Sequence, residues 1–189
     1  MNIILDLDQT LVSAEMSDSF DFKKYKKKSN LFDFEDMDGY YIVFARPHLQ
    51  EFLDYLFANF NVSVWTAASK DYALFIINKF ILTKPERKLD FIFFSYHCSL
   101  SKKEDKGLKG LCMLWDTFKI QRYNSTNTLI IDDNIDVKKI QTCNCYMIKP
   151  FEFTEDGSEN DDELEKLISK LEKIKKAEIP EDACLVDLL

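Results

Sequence analysis

Short runs of apolar residues alternate along this chain with longer stretches in which apolar side chains recur at helical spacing. We expect strands buried on both faces at five apolar runs: residues 3–5, 62–65, 91–94, 128–131 and 145–148. The helical spacing predicts helices at residues 46–60, 69–80, 111–118 and about 162–177. With right-handed crossovers, this order predicts an α/β fold in which a parallel sheet carries helices on both faces.

Residues 13–45 interrupt this alternation. Asp38-Gly39 is a strong turn signal before the apolar run at 40–44, so we expect a small β-hairpin insertion after the first strand. The lysine-rich run at 23–28 is typical of a solvated loop, although it could instead attract a phosphorylated substrate or act as a weak nuclear-import signal. Nearby aromatic residues predict either a partner-docking surface or the core of the hairpin: Phe22, Tyr25, Phe32 and Phe34. No second domain is expected within residues 1–189.

Composition excludes several classes of protein. A net charge of -8 argues against a general nucleic-acid binder, because such domains are usually basic. There is no apolar run of about 18 residues, and strand-like sequence begins directly after Met1, so we expect neither a membrane span nor a signal peptide. The five cysteines are an odd number and favour reduced thiols, including Cys143 and Cys145, in the nucleus or cytoplasm.

Polar side chains follow the predicted strands where each one ends. Three strand ends carry them: Asp6 with Asp8, Thr66, and Asp132 with Asp133. The carboxyl ends of parallel strands meet at one edge of a sheet, where open α/β folds bind their ligands. Neighbouring carboxylates repel one another unless a cation lies between them, and oxygen ligands favour Mg²⁺ beside phosphates. Lys109, in a polar loop, could reach the same edge and complete a phosphate site with its metal.

The first motif, Asp6-Leu7-Asp8-Gln9-Thr10, resembles that of the haloacid-dehalogenase-like phosphatases. The pattern is closer still to the phosphatases of the RNA polymerase II C-terminal domain, in particular the small, NLI-interacting-factor-like branch. Five further segments carry this resemblance in order: residues 41–53, 65–73, 109–115, 127–134 and 162–167. The segments at 109–115 and 127–134 are most similar to the branch that carries a ubiquitin-like domain.

The resemblance implies a fold and a set of roles. The fold would be the haloacid-dehalogenase-like α/β sheet, with Asp6 as nucleophile forming an aspartyl-phosphate and Asp8 as general acid and base. Thr66, Ala67 and Lys109 would bind the phosphate. Mg²⁺ would be bound by Asp6, the backbone carbonyl of Asp8 and Asp133, with Asp132 alongside, and Thr10 would orient Asp8 or its loop. Both Lys106 and Lys109 resemble the motif lysine, and Lys109 is preferred because Leu114-Trp115 follows in register.

Three functions are compatible with these residues. The first is a Mg²⁺-dependent protein Ser/Thr phosphatase, acting on phosphopeptides like the polymerase C-terminal domain. The second keeps the chemistry but acts on a small phosphometabolite or a nucleic-acid terminal phosphate. The third is an adaptor that binds a phosphorylated protein without turnover, which the intact motifs disfavour.

Overall fold

The fold is built on a five-stranded parallel sheet. We describe it from a computed structural model, in which residues 1–101, 107–176, 179–180 and 183–189 are described. The sheet has the order β6-β5-β1-β7-β8, and its strands are β1 (Asn2–Leu5), β5 (Asn61–Trp65), β6 (Leu89–Phe93), β7 (Thr128–Asp132) and β8 (Cys145–Met147). The predicted α/β fold with a parallel sheet is therefore confirmed.

The insertion after β1 forms a second, antiparallel sheet. Its strands are β2 (Val12–Met16), β3 (Phe34–Met37) and β4 (Tyr41–Ala45), in the order β2-β4-β3. Asp38 and Gly39 both adopt left-handed backbone angles, with φ of 49° and 77°, which explains the strong turn signal at this dipeptide. The predicted hairpin is thus present as β3 and β4, and β2 extends it to three strands.

Helices connect the strands and cover the sheet. They are α1 (Phe22–Ser29), α2 (Leu49–Asn59), α3 (Lys70–Ile76), α4 (Ser95–Leu100), α5 (Ile135–Ile140) and α6 (Glu163–Lys176). Turns of π-helix continue α3 over Ile77–Ile81 and form the segment Met113–Thr117. The Ser69 side chain caps α3 by accepting a hydrogen bond from the Tyr72 N–H at 3.4 Å.

Both faces of the parallel sheet are buried, as alternate residues of β1 demonstrate. Ile3 and Leu5 belong to one apolar cluster, which includes residues of α2, α3 and α6. Ile4 points to the opposite face and packs in a second cluster with Trp65 and Leu114. Because no face of β1 meets solvent, its sequence is continuously apolar rather than alternating.

Several local predictions are wrong or incomplete. The lysine-rich run lies in α1 rather than in a loop, with Asp21 capping the helix through the Lys24 N–H. The polar stretch after β6 begins with α4, and α2 begins at Leu49, three residues later than predicted. Tyr25 and Phe32 pack on Phe153 and therefore belong to the core of the insertion. Phe34 contacts Phe22 and Phe44 but is still 39% exposed.

The cysteine prediction also fails in part. Cys143, expected as a thiol, forms a disulfide with Cys184, whereas Cys98 and Cys145 remain thiols. The disulfide spans 41 residues and links the segment after α6 to the segment before β8. A hydrogen bond joins the same two segments, in which the Val186 N–H donates to the Cys143 carbonyl at 3.2 Å. Sequence alone could not reveal this pair, because connectivity depends on the path of the chain after α6. Among the described residues, no helix is long and apolar enough to cross a membrane.

Candidate active site

A tight turn after β1 presents the two aspartates of the first motif. The Leu7 carbonyl accepts hydrogen bonds from the N–H groups of Leu11 at 2.8 Å and Val12 at 3.1 Å. Gln9 adopts a left-handed conformation with φ of 57° and donates its N–H to the Val12 carbonyl at 2.8 Å. The turn therefore leads directly from Asp6 and Asp8 into β2 of the insertion.

A cavity of about 250 Å³ lies at the carboxyl edge of the parallel sheet. Seven residues predicted from sequence line it: Asp6, Asp8, Thr66, Ala67, Lys109, Asp132 and Asp133. They come from the ends of β1, β5 and β7 and from the loop before the π-helical segment, which the chain order separates widely. The structure thus brings together the residues that the sequence analysis assigned to phosphate and metal binding.

Lys109 lines this cavity and is buried, with 5% exposure. Its Nζ donates to Asp6 Oδ1 and, at 2.8 Å, to Asp132 Oδ2. Burial disfavours its charged form, but the Asp6 and Asp132 carboxylates hold the pKa of Lys109 above its usual value. Lys106, the alternative motif lysine, lies outside the described residues.

The carboxylates form a cluster suited to a metal ion. One oxygen each from Asp6, Asp132 and Asp133 lie within 4.8 Å of one another. Both oxygens of Asp132 accept hydrogen bonds, one from Lys109 and one, at 2.9 Å, from the Asn134 N–H. Asp6 shares the Lys109 ammonium with Asp132. Four carboxylates and one ammonium line the described part of the cavity, so a divalent cation would offset the excess negative charge.

The Thr10 side chain lies beside Asp6 and Asp133 rather than beside Asp8. Its Oγ1 lies 3.4 Å from Asp6 Oδ2 and 3.3 Å from Asp133 Oδ1. The turn after Asp8 directs the fully buried Thr10 side chain back toward β1 and β7, where its hydroxyl contacts Asp6 and Asp133 rather than Asp8. Of the two expected roles, orienting Asp8 or orienting its loop, the second stays a prediction.

Asp8 differs from the other carboxylates in its surroundings. Burial raises the pKa of Asp8 from its ordinary 3.8 to about 6, with a smaller contribution from the negative charge of Asp6. The hydroxyl of Tyr72, in the first turn of α3, donates to Asp8 Oδ1 and acts in the opposite direction. A carboxyl with a pKa near 6 can both donate and accept protons close to neutral pH.

Thr66 is held in place by hydrogen bonds to neighbouring backbone groups. Its N–H donates to the Phe93 carbonyl at 2.9 Å, and its Oγ1 accepts the Ala68 N–H at 3.0 Å. The side chain is buried, with 1% exposure. Thr66 is therefore fixed at the cavity wall before any ligand binds.

Gln141 anchors the loop that carries Lys109, a role that sequence reasoning missed. Its Nε2 donates to the Lys109 carbonyl and its Oε1 accepts the Leu111 N–H, both at 2.9 Å. The side chain thus spans the backbone on both sides of Gly110. Its position after α5 gave no signal, because the two contacts join residues 30 and 32 positions apart in the chain.

A second missed feature fastens the turn after Asp8 to the acidic segment that follows β8. The Phe151 N–H donates to the Gln9 carbonyl at 2.7 Å. The buried guanidinium of Arg46 donates to the Thr10 carbonyl at 3.0 Å and to both oxygens of Asp161 at 2.7 and 2.9 Å. The acidic segment, residues 151–162, therefore braces the turn after Asp8.

Comparison with solved structures supports the fold. The chain is similar to the structure of Fcp1, an essential RNA polymerase II CTD phosphatase, with a TM-score of 0.62 and 18% sequence identity. A structure of fission yeast Fcp1 R271A bound to beryllium fluoride gives a TM-score of 0.62 and 17% identity. Each match covers 93% of this chain but only 62% of the Fcp1 chain, so this chain spans less than two thirds of those proteins.

Sequence comparison places the chain in a family. It is 51% identical over 171 residues to the CTD phosphatase-like protein 355R of Invertebrate iridescent virus 6, covering 88% of this chain and 94% of that protein. It is 44% identical over 180 residues to the protein 355R of Invertebrate iridescent virus 3, covering 92% and 96%. The model of the NLI interacting factor-like phosphatases matches residues 1–182. This chain therefore belongs to the NLI interacting factor-like phosphatase family.

Proposed function

We propose that this protein is a Mg²⁺-dependent phosphatase that removes phosphate from serine or threonine side chains through an aspartyl-phosphate intermediate. Membership of a phosphatase family implies phosphatase activity. The observation that carries the specific proposal is the convergence of Asp6, Asp8, Thr66 and Lys109 on one cavity beside the carboxylate of Asp133. Phosphoryl transfer depends mainly on positioning and charge neutralisation, and these residues supply both.

The donor set fits Mg²⁺. Asp6 and Asp133 would hold the ion through carboxylate oxygens and Asp8 through its backbone carbonyl, with Asp132 orienting Lys109 beside them. The bound ion would neutralise negative charge on the phosphoryl oxygens. These ligands are all oxygen atoms, which suits a hard cation better than zinc or copper.

The reaction has two steps, each assigned to residues of this chain. In the first, a carboxylate oxygen of Asp6 attacks phosphorus, the ester P–O bond breaks, and Asp8 gives a proton to the leaving oxygen. In the second, Asp8 takes a proton from water, whose oxygen attacks phosphorus and breaks the bond to Asp6, which releases inorganic phosphate. Lys109 and Thr66 bind phosphoryl oxygens in both steps, with the backbone at Ala67 beside them.

A polypeptide substrate agrees with the shape of the site. A second cavity, of about 400 Å³, adjoins the first at Asp8 and is lined by aromatic and small side chains that include Tyr41, Ala68 and Tyr72. A phosphorylated side chain could enter the inner cavity while neighbouring residues of the same peptide occupy the outer one. Phosphopeptides like the RNA polymerase II C-terminal domain are the substrates that the family suggests.

Placement in the nucleus or cytoplasm stays a prediction that rests on the family. The disulfide between Cys143 and Cys184 removes the argument from reduced cysteines. A single domain over residues 1–189 likewise stays a prediction, and we propose it because the family match extends over residues 1–182.

Hydrolysis of p-nitrophenyl phosphate tests the chemistry. The wild type should turn over with Mg²⁺ and lose activity when EDTA removes the metal, whereas Asp6→Asn should be inactive because an amide cannot form the phosphoryl intermediate. Asp18→Asn is the matched control, because Asp18 is exposed on the insertion and lies outside the cavity. Equal rates for the wild type and Asp6→Asn would refute the proposal.

A substrate panel tests the specificity. It contains singly and doubly phosphorylated peptides of the polymerase C-terminal repeat, small sugar phosphates and oligonucleotides with terminal phosphate. Turnover of phosphopeptides is expected. Turnover of small phosphates or oligonucleotides alone would favour the second function considered above, and tight phosphopeptide binding without phosphate release would favour the adaptor.

A further inference from the structure

Tyr72 makes a contact that its apolar surroundings would not predict. The side chain is 8% exposed and packs in the apolar cluster beside α2 and α6, yet its hydroxyl donates to Asp8 Oδ1. We propose that Tyr72 is a positioning residue, which holds the Asp8 carboxyl in the orientation needed for proton transfer to the leaving oxygen. This inference rests on the proposed phosphatase function.

The backbone fixes Tyr72 firmly. Tyr72 is the third residue of α3, and its N–H donates to the capping side chain of Ser69 at 3.4 Å. The ring of Tyr41, on β4, meets the Tyr72 ring edge-on, with centroids 5.5 Å apart and planes at 77°. The hydroxyl of Tyr72 is therefore held by both α3 and the insertion, as orienting another side chain requires.

The segment from the end of β5 into α3 carries both Thr66, which we propose binds phosphate, and Tyr72. Thr66 directly follows β5, and α3 begins four residues after Thr66, so the segment that carries Thr66 to the cavity also carries Tyr72 to Asp8. Asp8 lines both the inner and the outer cavity, at their boundary. A hydrogen bond to Oδ1 occupies one oxygen of Asp8 and leaves the other for the proton.

Within the part of the chain that the structure describes, the other charged groups near Asp8 do not give it a defined orientation. Asp6 and Asp133 repel its carboxylate, and Lys109, which attracts it, is already paired with Asp6 and Asp132. The Tyr72 hydroxyl is thus the neutral donor that fixes the rotamer of Asp8. Without it, the carboxyl could turn away from the leaving oxygen.

Dependence on the leaving group distinguishes this role from a structural one. An acidic phenol such as p-nitrophenol leaves without help, whereas a weakly acidic alcohol or phenol must be protonated as the P–O bond breaks. A misplaced general acid therefore slows the hydrolysis of poor leaving groups selectively. A damaged fold or a weakened phosphate site would slow all leaving groups alike.

The test measures kcat/KM for a series of substituted phenyl phosphates with wild type and Tyr72→Phe, each in Mg²⁺. We expect Tyr72→Phe to lower kcat/KM less than about twofold for p-nitrophenyl phosphate and roughly tenfold or more for phenyl phosphate. In an Asp8→Asn background, Tyr72→Phe should leave the leaving-group dependence unchanged, because there is no acid left to position.

Tyr123→Phe is the matched control. Tyr123 is 2% exposed, and its hydroxyl hydrogen-bonds Ser63 and Asp90, both at 2.9 Å, away from the cavity. It should change kcat/KM by the same factor for every leaving group. A uniform loss in Tyr72→Phe, or no loss, would overturn the positioning role alone. Absence of any metal-dependent turnover by the wild type would instead refute the proposed function together with this inference.

Discussion

The first prediction concerns the conformational stability of Asp8→Asn in the absence of metal. Burial raises the pKa of Asp8 from 3.8 to about 6, so the folded protein binds this proton more tightly than the unfolded chain does. The carboxyl therefore stabilises the fold most when protonated, below pH 4, and this contribution is lost as the pH rises through 6. At pH 8 the ionised carboxyl is a destabilising group. Asparagine keeps the shape and can still accept the Tyr72 hydroxyl without carrying the charge.

The pKa shift sets the magnitude. The pKa of Asp8 rises from 3.8 to about 6, and a difference of one in pKa corresponds to about 1.36 kcal/mol. The ionised carboxyl therefore destabilises the folded protein by about 3 kcal/mol at pH 8. Asp8→Asn should recover a large part of this, because the amide needs no comparable hydration. For a chain of this size, 3 kcal/mol corresponds to a rise in Tm of roughly 6 to 12 °C, which is the upper limit of the expected effect.

Thermal and urea unfolding of the two proteins in EDTA, from pH 4 to pH 8, measures the difference. The stability gain of Asp8→Asn should be largest at pH 8 and should vanish toward pH 4. Asp162→Asn is the control, because the pKa of this exposed carboxyl is lowered by Lys166 and the substitution should give no gain at any pH. A gain that is constant with pH, or a loss at pH 8, would refute the electrostatic reasoning.

Three further predictions concern contacts outside the reacting groups. Gln141→Ala should lower kcat/KM about tenfold, because two hydrogen bonds of about 1 kcal/mol each no longer hold the Lys109 loop; an unchanged kcat/KM would contradict this. Reduction of Cys143–Cys184 should lower the free energy of unfolding by about 4 kcal/mol, because a 41-residue loop is no longer closed in the unfolded chain. Urea unfolding with and without dithiothreitol measures this difference, and kcat should not change. Arg46→Lys should destabilise the fold by roughly 3 kcal/mol in urea unfolding, because lysine cannot reproduce the paired contacts to the acidic segment.

The sheet and the cavity-lining residues were predictable because each follows from a short-range pattern. Continuous apolar runs identify strands buried on both faces, and polar residues directly after them identify the carboxyl edge. The sequence therefore predicts that Asp6, Thr66 and Asp132 lie close together, and all three line the cavity. The turn at Asp38-Gly39 was predictable for the same reason, since its backbone angles require those residue types.

The missed contacts depend on side chains whose sequence neighbours give no sign of their partners. Tyr72 has the spacing of a core residue, and only its place in the first turn of α3 brings its hydroxyl to Asp8. The disulfide and the Arg46–Asp161 ion pair join segments far apart in the chain. The positive charge of the lysine-rich run predicts side chains exposed to solvent, which is typical of a loop. The run is helical because lysine has good helix propensity and Asp21 caps the helix.

Under the proposed function, the contacts between the turn after Asp8 and the acidic segment bear on when the protein becomes active during its synthesis. All five strands of the parallel sheet have been synthesised once Met147 has been added. The Gln9 carbonyl, however, is bound by the N–H of Phe151, and Arg46, which binds the Thr10 carbonyl, pairs with Asp161. Domains emerge from the ribosome with the N-terminal part first. A nascent chain can therefore complete its sheet while the turn after Asp8 still lacks these contacts. Under the proposed function, we expect catalytic competence only after the acidic segment has been added.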